Sequence, residues 1–318
     1  MRHGGNASIA RLRGHNTLEI RPVRGTLQRM TKPASAGAST ASTTSADTSE
    51  ISSVDLAQRL DLALSAGQEA AAITLRYFRQ DNYQVEIKAD ASPVTVADRE
   101  AEQHLRRRIA ASFPDDAILG EEYASVDGTS GFRWILDPID GTKSFVHGVP
   151  FYGTMIGVEH AGRSVIGVVL LPGLDEYVYA ARGQGAWAVR GQESPKRIHV
   201  SDCRQMSQAL FLTTAVKDFG KLGRREAYDA LDAATRISRT WGDCYGYLLV
   251  AMGRAEVMVD PAMNVWDAAA LQPILEEAGG TFTNWLGEPT IHGREGVATN
   301  GHLLDEVVAV TRKAPRLP

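Results

Sequence analysis

Asp137 and Asp140 stand three positions apart in the stretch Trp134-Ile135-Leu136-Asp137-Pro138-Ile139-Asp140-Gly141-Thr142. Two carboxylates at this spacing could hold a hard divalent cation, which takes oxygen ligands and keeps water beside a substrate phosphate. The Ile139 carbonyl between them is a further oxygen. Gly141 and Thr142 follow with amide N–H groups and a hydroxyl, which suit an anion if a helix turn starts there. Asp, Pro and Gly are also ordinary turn residues, so these positions alone read equally well as a plain turn. The element that must present them is a short buried strand over residues 133–136. Pro138, which lacks an N–H, is expected to end regular pairing where the carboxylates begin.

Two other elements end in acids. An apolar run over 117–119 leads into Gly120-Glu121-Glu122. Asp267 falls in the first turn of a helix expected over 266–278, where a carboxylate is favoured by the helix dipole even without a metal. Gly279-Gly280 should stop that helix, and Pro273 should kink it. Lys88 and Asp98 flank a loop over 89–93 that could close over a charged site; the alternative is a surface ion pair. The order of elements is otherwise regular. A capping-box-like start at Ser52 precedes Leu56, Leu60, Leu64, Ala71 and Phe78 at helical spacing. A strand over 85–88 leads to a second helix opened by Thr95-Val96-Ala97-Asp98 and carrying Ala101, Leu105 and Ile109. Apolar strands over 151–158 and 164–171 meet in a hairpin-like turn, and strands over 176–181 and 185–189 continue the sheet. Beyond residue 200 the pattern alternates: strand 209–213, helix 228–234, connection 235–238, helix 245–252, strand 256–259, strands 281–283 and 297–299, helix 303–311. This predicts an N-terminal α+β part over 51–200 that carries most of the site acids, and an α/β part over 201–318.

The totals limit the function classes. With 318 residues and 43% hydrophobic composition the chain can build a large core. No apolar run approaches the roughly 20 residues of a membrane-spanning helix, and no signal-peptide core follows the N-terminal charges. Cys203 and Cys244 are the only cysteines, which excludes a disulfide framework and a cysteine zinc site and fits a reducing compartment. The net charge of −4 conceals +6 within the first 46 residues, which leaves −10 for the rest, so a body that handles phosphate needs cations. Residues 1–50, rich in Arg, Ser and Ala, have no periodic apolar face and are expected to be disordered. They read as an unstructured tail, an early start or an organellar transit peptide, so the expected location is cytoplasmic or, with a transit peptide, an organelle. Neither a membrane nor nucleic acid is an expected partner.

Taken together, Glu121, Asp137, Asp140 and Asp267 place oxygen-rich side chains at three separate element ends, which favours metal binding. The arrangement over about 54–312 resembles the inositol monophosphatase family of Mg²⁺-dependent phosphatases. Gly120-Glu121-Glu122, Trp134 through Thr142, and Trp266-Asp267-Ala268-Ala269-Ala270 carry the match. The resemblance implies a layered αβαβα sandwich, commonly a homodimer, with two or three Mg²⁺ per active site. It implies that Glu121, Asp137 and the Ile139 carbonyl hold one ion, and that Asp137, Asp140 and Asp267 hold a second. It further implies an attacking water activated by Glu121 and Thr142, phosphate on the Gly141 and Thr142 amides, and Asp98 orienting Thr142. Lys88 matches the mobile segment beside the metals. This suits phosphoryl transfer, in which positioning and charge neutralisation dominate.

The substrate must be chosen elsewhere. The segment Arg239 to Tyr247, followed by Val259-Asp260-Pro261-Ala262-Met263-Asn264, looks most like the histidinol-phosphatase branch, as does Lys143-Ser144-Phe145. Histidinol carries an ammonium and an imidazole, which an additional acid such as Asp243 could pair with. Trp241, Asp243, Cys244 and Asp260 are therefore the expected substrate residues, with Cys244 a small wall residue. Asp260 discriminates poorly, because inositol-specific relatives also place an acid there. The expected reaction is hydrolysis of L-histidinol phosphate. The alternatives are an inositol-1-monophosphatase, a 3′(2′),5′-bisphosphate nucleotidase on the same metal site, or a regulatory binding protein that keeps the fold.

Overall fold

The computed structural model describes residues 51–80, 85–87 and 93–317. The expected disordered extension, Lys88 and most of the expected loop over 89–93 lie outside the described residues. Helix α1 (Ser53–Tyr77) starts where the Ser52 side chain accepts the Val54 N–H at 3.2 Å. Strand β1 (Val85–Ile87) pairs antiparallel with β2 (Pro93–Thr95). Helix α2 (Val96–Ser112) opens on a reciprocal capping box between Thr95 and Asp98.

Seven strands form the larger sheet in sequence order: β3 (Ala117–Gly120), β4 (Phe132–Asp140), β5 (Gly153–His160), β6 (Arg163–Leu171), β7 (Glu176–Ala181), β8 (Ala186–Arg190) and β9 (Lys196–Arg197). Only β3 and β4 pair in parallel. Helix α3 (Thr142–Val146) follows β4. The β5–β6 hairpin turns through Ala161 and Gly162, both at positive φ, as the sequence pattern implied. The second sheet contains β10 (Leu210–Leu212), β11 (Ile237–Arg239), β12 (Val257–Asp260), β13 (Thr281–Thr283) and β14 (Gly296–Thr299), ordered β11-β10-β12-β14-β13. Its helices are α4 (Val216–Lys221), α5 (Arg225–Ala234), α6 (Asp243–Ala251), α7 (Val265–Ala269), α8 (Leu271–Glu277) and α9 (Leu304–Thr311).

The strands are apolar on both faces because both sheets are covered on both sides. On the larger sheet Trp134, Ile156 and Val168 face Leu60, Ala66 and Leu105 of α1 and α2. The alternate residues Ile135, Met155 and Val169 face Leu248 and Leu271 of α6 and α8. Leu212 and Met258 of the smaller sheet meet the same inner helices, whereas Phe211, Val257 and Val259 meet Phe219, Leu231 and Val307 of α4, α5 and α9. The result is the expected αβαβα layering.

Several expectations change. The strand expected over 133–136 runs on through Pro138 to Asp140, with pairing irregular only between Asp137 and Asp140. Pro138 withholds a donor, but its carbonyl accepts the Thr154 hydroxyl at 2.9 Å, so the strand is retained. The kinked helix expected over 266–278 is two helices that break at Ala270. Pro273 then sits in the first turn of α8, where a missing N–H costs little, and the Ala269 carbonyl that it cannot bond accepts Ser164 Oγ at 2.5 Å. The break lies directly on the sheet, because a Cβ on Gly167 would lie 2.0 Å from the Ala270 carbonyl oxygen. The connection expected over 235–238 contains β11, which is paired in parallel with β10. Helix α4 was not foreseen, since Phe219 is its single buried apolar residue.

A buried ion pair ties α1 to the root of β4. Arg59 donates from Nε and Nη2 to Asp116 at 2.8 Å each, Ser130 Oγ and Trp134 Nε1 donate to the same carboxylate, and the guanidinium lies 3.6 Å from the Phe132 ring centroid. Burial by itself would raise the Asp116 pKa, but the hydrogen bonds from Arg59, Ser130 and Trp134 outweigh it and hold the carboxyl below its ordinary range. Asp116 therefore stabilises the fold above its unfolded-state pKa, and the contribution is lost as pH falls through the lower folded value. Asp116→Ala should reduce unfolding free energy by about 3–5 kcal/mol in urea titrations at pH 7. The gap from wild type should narrow as pH drops below ~4.

Candidate active site

In a regular strand, residues three apart point to opposite faces. The pairing of β4 with β5 steps from Asp137↔Met155 to Asp140↔Gly153, so β4 carries one extra residue. This bulge returns Asp137 and Asp140 to the same side. It is held internally: Asp137 Oδ1 accepts the Ile139 N–H at 3.1 Å, and the Thr142 hydroxyl donates to the Ile139 carbonyl at 3.1 Å. The Ile139 side chain is buried among Phe78, Ala97, Phe145 and Tyr152, which pins the loop from below. Asp267 arrives from the other half of the chain on α7, where its carboxylate accepts the Asn264 N–H at 2.6 Å in a capping box.

Carboxylate oxygens of Asp137, Asp140 and Asp267 lie within 4.8 Å of one another. Burial, followed by the charges of Glu121, Asp140 and Asp267, lifts Asp137 well above the usual carboxylate range. Asp140 is lifted likewise by burial and by Asp243 and Asp267, and Asp267 is pushed to about 7 by burial first and Glu121 next. Among the described residues, the backbone amides of Ile139, Cys244 and Asn264 and the Cys244 thiol donate to them, and all of these are neutral. Three carboxylates in mutual repulsion, Asp137 and Asp140 buried and Asp267 half-buried, fit a hard divalent cation, which would replace the lost hydration and cancel the repulsion.

Glu121 lies half-buried just beyond β3, outside this tight trio but close enough for its charge to act on Asp137, Asp267 and Asp98. Its backbone N–H donates to the Leu136 carbonyl at 3.2 Å. The next residue is held from α2: fully buried Glu102 accepts the Glu122 N–H at 2.8 Å and the Arg106 Nε at 2.7 Å, while Arg106 also donates to the Tyr123 and Ala124 carbonyls. Glu102 was not anticipated. The signal was present, because positions 98, 102, 105 and 109 form one helical stripe that is otherwise apolar or capping.

Asp98 is buried, which rules out the surface ion pair considered for it. One of its oxygens accepts the Thr95 amide at 2.8 Å and hydroxyl at 2.6 Å; Oδ1 is buried without a hydrogen-bond partner. Burial first, and the charges of Glu122 and Glu121 after it, raise this carboxyl to about 7 despite the two bonds from Thr95.

A cavity of about 310 Å³ opens from Asp140 and Asp267. Asp243, Cys244 and Asp260 line it, as expected for substrate residues, together with Met263. Trp241 is 42% exposed and stands outside that wall. Asp243 adopts a left-handed backbone conformation (φ 51°), with its N–H donating to Thr214 Oγ1 at 2.9 Å. Its Oδ2 lies 2.9 Å from where a Cβ on Gly141 would be, so only glycine allows the carboxylate this close to the turn after β4. Burial and the Asp260 charge raise Asp243 to about 6, opposed by Lys143 and Ser144.

Asp260 is different. Its oxygens accept Thr213 Oγ1 at 3.2 Å, the Thr214 amide at 2.8 Å, Thr214 Oγ1 at 2.9 Å and Tyr247 OH at 3.1 Å. Cys244 is buried, its thiol pKa pushed up by burial and then by Asp140, and its amide donates to Asp140. That makes it a wall residue with no nucleophilic character. The wall formed by Asp218 and Lys221 of α4 was missed along with the helix.

The model of the inositol monophosphatase family matches residues 55–316. The histidinol-phosphatase of Chlorobaculum parvum is 43% identical over 240 residues, covering 76% of this chain and 91% of that protein. A fructose-1,6-bisphosphatase/inositol-1-monophosphatase of Thermotoga maritima is 34% identical over 223 residues, covering 69% of this chain and 82% of its own length. Among solved structures, the extragenic suppressor protein suhB of Bartonella henselae superposes with a TM-score of 0.74 at 28% identity, covering 80% of this chain and 99% of that one. The chain therefore belongs to the inositol monophosphatase family and is a phosphoric monoester hydrolase.

Proposed function

We propose that the chain hydrolyses L-histidinol phosphate to L-histidinol and phosphate, a step of histidine biosynthesis, with Mg²⁺ held by Glu121, Asp137, the Ile139 carbonyl, Asp140 and Asp267. The observation that carries this reading is Asp243, a carboxylate set between the loop after β4 and a cavity that leads away from the metal-ligand acids. The activity for which the Chlorobaculum relative is named agrees with it.

A bound divalent cation supplies charge neutralisation on the phosphoryl oxygens and acidifies the attacking water. The protein does the rest. Glu121 and the Thr142 hydroxyl orient that water, and Asp98, buried nearby on α2, keeps the Thr142 side of the site aligned. The amides of Gly141 and Thr142 receive phosphate oxygens. Asp243 takes the ammonium or imidazolium of the leaving alcohol, a charge-assisted contact that a neutral polyol cannot reproduce. Cys244 supplies a flat wall and an amide that fixes Asp140. Asp260, occupied by four protein donors, shapes the wall and leaves the substrate charge to Asp243. Trp241, exposed two residues before Asp243, is the outermost of the proposed substrate residues.

A second reading, inositol 1-phosphate, is favoured by the Thermotoga relative, whose name covers that activity. Phosphate release from a panel of both esters separates the two. With saturating Mg²⁺, histidinol phosphate should give the higher kcat/KM, and removal of divalent ions with a chelator should abolish turnover. Asp137→Asn should cost at least ~10³-fold in kcat, because it removes a ligand from the heart of the metal site. If inositol 1-phosphate were preferred, the substrate assignment would fail while the metal site stood.

Asp243→Asn offers a finer comparison. Loss of one charge-assisted contact, about 1.5–3 kcal/mol, should lower kcat/KM for histidinol phosphate roughly 10- to 100-fold. The loss on a neutral sugar phosphate should be severalfold smaller; equal losses on both would remove Asp243 from substrate selection.

A further inference from the structure

We propose that Arg224 and Trp285, neither of which lines the substrate cavity, are positioning residues that set the shape of its wall by holding the backbone of Asp260 and Pro261. The proposal rests on the reading of that cavity as the substrate pocket.

The wall segment begins at the end of β12, where Asp260, Pro261, Ala262 and Met263 border the cavity in succession. A chain leaving a strand with a proline has one amide fewer to anchor it, so its carbonyls decide where it goes. Both carbonyls at the start of the segment are taken by side chains from outside the pocket. Trp285 Nε1 donates to the Asp260 carbonyl at 3.0 Å. Arg224 Nη1 donates to the Pro261 carbonyl at 2.8 Å. These two donors are themselves locked together, with the guanidinium 4.2 Å from the Trp285 ring centroid. Glu295 joins them by accepting from Arg224 Nη1 through one oxygen and from the Trp285 backbone N–H, at 3.3 Å, through the other.

The network also reaches the end of the described chain. Arg224 Nε and Nη2 both donate to the Pro315 carbonyl, at 3.0 and 2.7 Å, and Thr311 Oγ1 of α9 donates to the Trp285 carbonyl at 2.8 Å. Arg224 is 2% exposed and follows α4 and a single glycine turn, so it links the wall bearing Asp218 and Lys221 to the wall bearing Asp260 and Met263. A buried guanidinium whose three nitrogens all donate to a backbone carbonyl or a carboxylate has a fixed position, and Lys could not reproduce its forked geometry. The two walls of the pocket are therefore set relative to each other by groups that never touch substrate. Asp137 and Asp140 are held within β4, and Asp267, although α7 follows the wall segment directly, is held by its own capping box with Asn264, which predicts that loosening this network alters substrate fit more than phosphoryl chemistry.

Trp285→Phe removes the indole donor and keeps an aromatic face beside Arg224; Arg224→Lys keeps the charge for Glu295 and removes the fork. Each variant is compared with wild type in Mg²⁺ on histidinol phosphate, which fills the cavity, and on 4-nitrophenyl phosphate, which needs only the metal and phosphate positions. For histidinol phosphate, KM should rise about fivefold in Trp285→Phe and about tenfold in Arg224→Lys, from the loss of one and of several hydrogen bonds, with kcat changed less than about twofold. Values for 4-nitrophenyl phosphate should stay within about twofold of wild type. The proposal is overturned if a variant with wild-type circular dichroism loses activity on both esters by the same factor, or if KM for histidinol phosphate does not move in Trp285→Phe. A wild-type protein that hydrolysed inositol 1-phosphate and left histidinol phosphate untouched would instead overturn the substrate reading alone. The same comparison on inositol 1-phosphate, whose ring must occupy the same cavity, would then decide the role of the two residues.

Discussion

Like charges crowded together and cut off from water repel one another strongly, and Asp137, Asp140 and Asp267, with oxygens inside 4.8 Å, are in that situation. Among the described residues, the groups that donate to them, three backbone amides and the Cys244 thiol, are neutral and leave the charge uncancelled. The acids stay together because each is built into backbone that cannot relax away: a bulge in β4 for Asp137 and Asp140, and a capping box on α7 for Asp267. The stability of those elements is what sustains the concentration of negative charge, and the concentration of charge is what makes a divalent cation a fitting occupant.

This constraint explains why the packing is tightest where it is. Helix α7 can bring Asp267 to β4 only if the α7–α8 junction lies flat on the larger sheet, and the absence of a side chain at Gly157 and Gly167 permits that approach to Ala269 and Ala270. The root of β4 is fixed by Arg59, Asp116 and Trp134, whose hydrogen bonds join α1 to the sheet far from the acids. Residues that carry no chemistry therefore determine the geometry of those that do, as expected when an active centre is assembled at the meeting of layers.

The acids of the cavity show how one residue type can take different tasks. Asp260 is surrounded by hydroxyls and an amide and serves the protein, while Asp243 sits in a left-handed backbone conformation facing the loop after β4. Composition cannot distinguish them; the number of donors around each one does. In the proposed function, phosphoryl chemistry falls to the acids on β4 and α7 and substrate choice to the segments around 214–222, 241–247 and 260–263.

Much of this was written in the linear chain. Period-two and helical patterns located most strands and helices, Ser52 and Thr95 announced two helix starts, and three short motifs carried the acids, because these are local properties of a few neighbouring residues. The breaks in the pattern were less legible. Pro138 signalled the end of a strand that in fact continues, because a carbonyl partner on β5 compensates for the missing donor, and Pro273 signalled a kink where the chain instead starts a new helix. Helix α4, with one buried apolar residue, had too little periodicity to be seen. The candidate acids Asp137, Asp140 and Asp267, which the fold brings together, were thus named by sequence alone. That Asp137 and Asp140 face the same way, that Glu102 and Arg224 work from outside, and that Asp260 is already satisfied were decided by the tertiary structure, because each depends on partners distant in sequence that only the packing of the layers brings within hydrogen-bond reach.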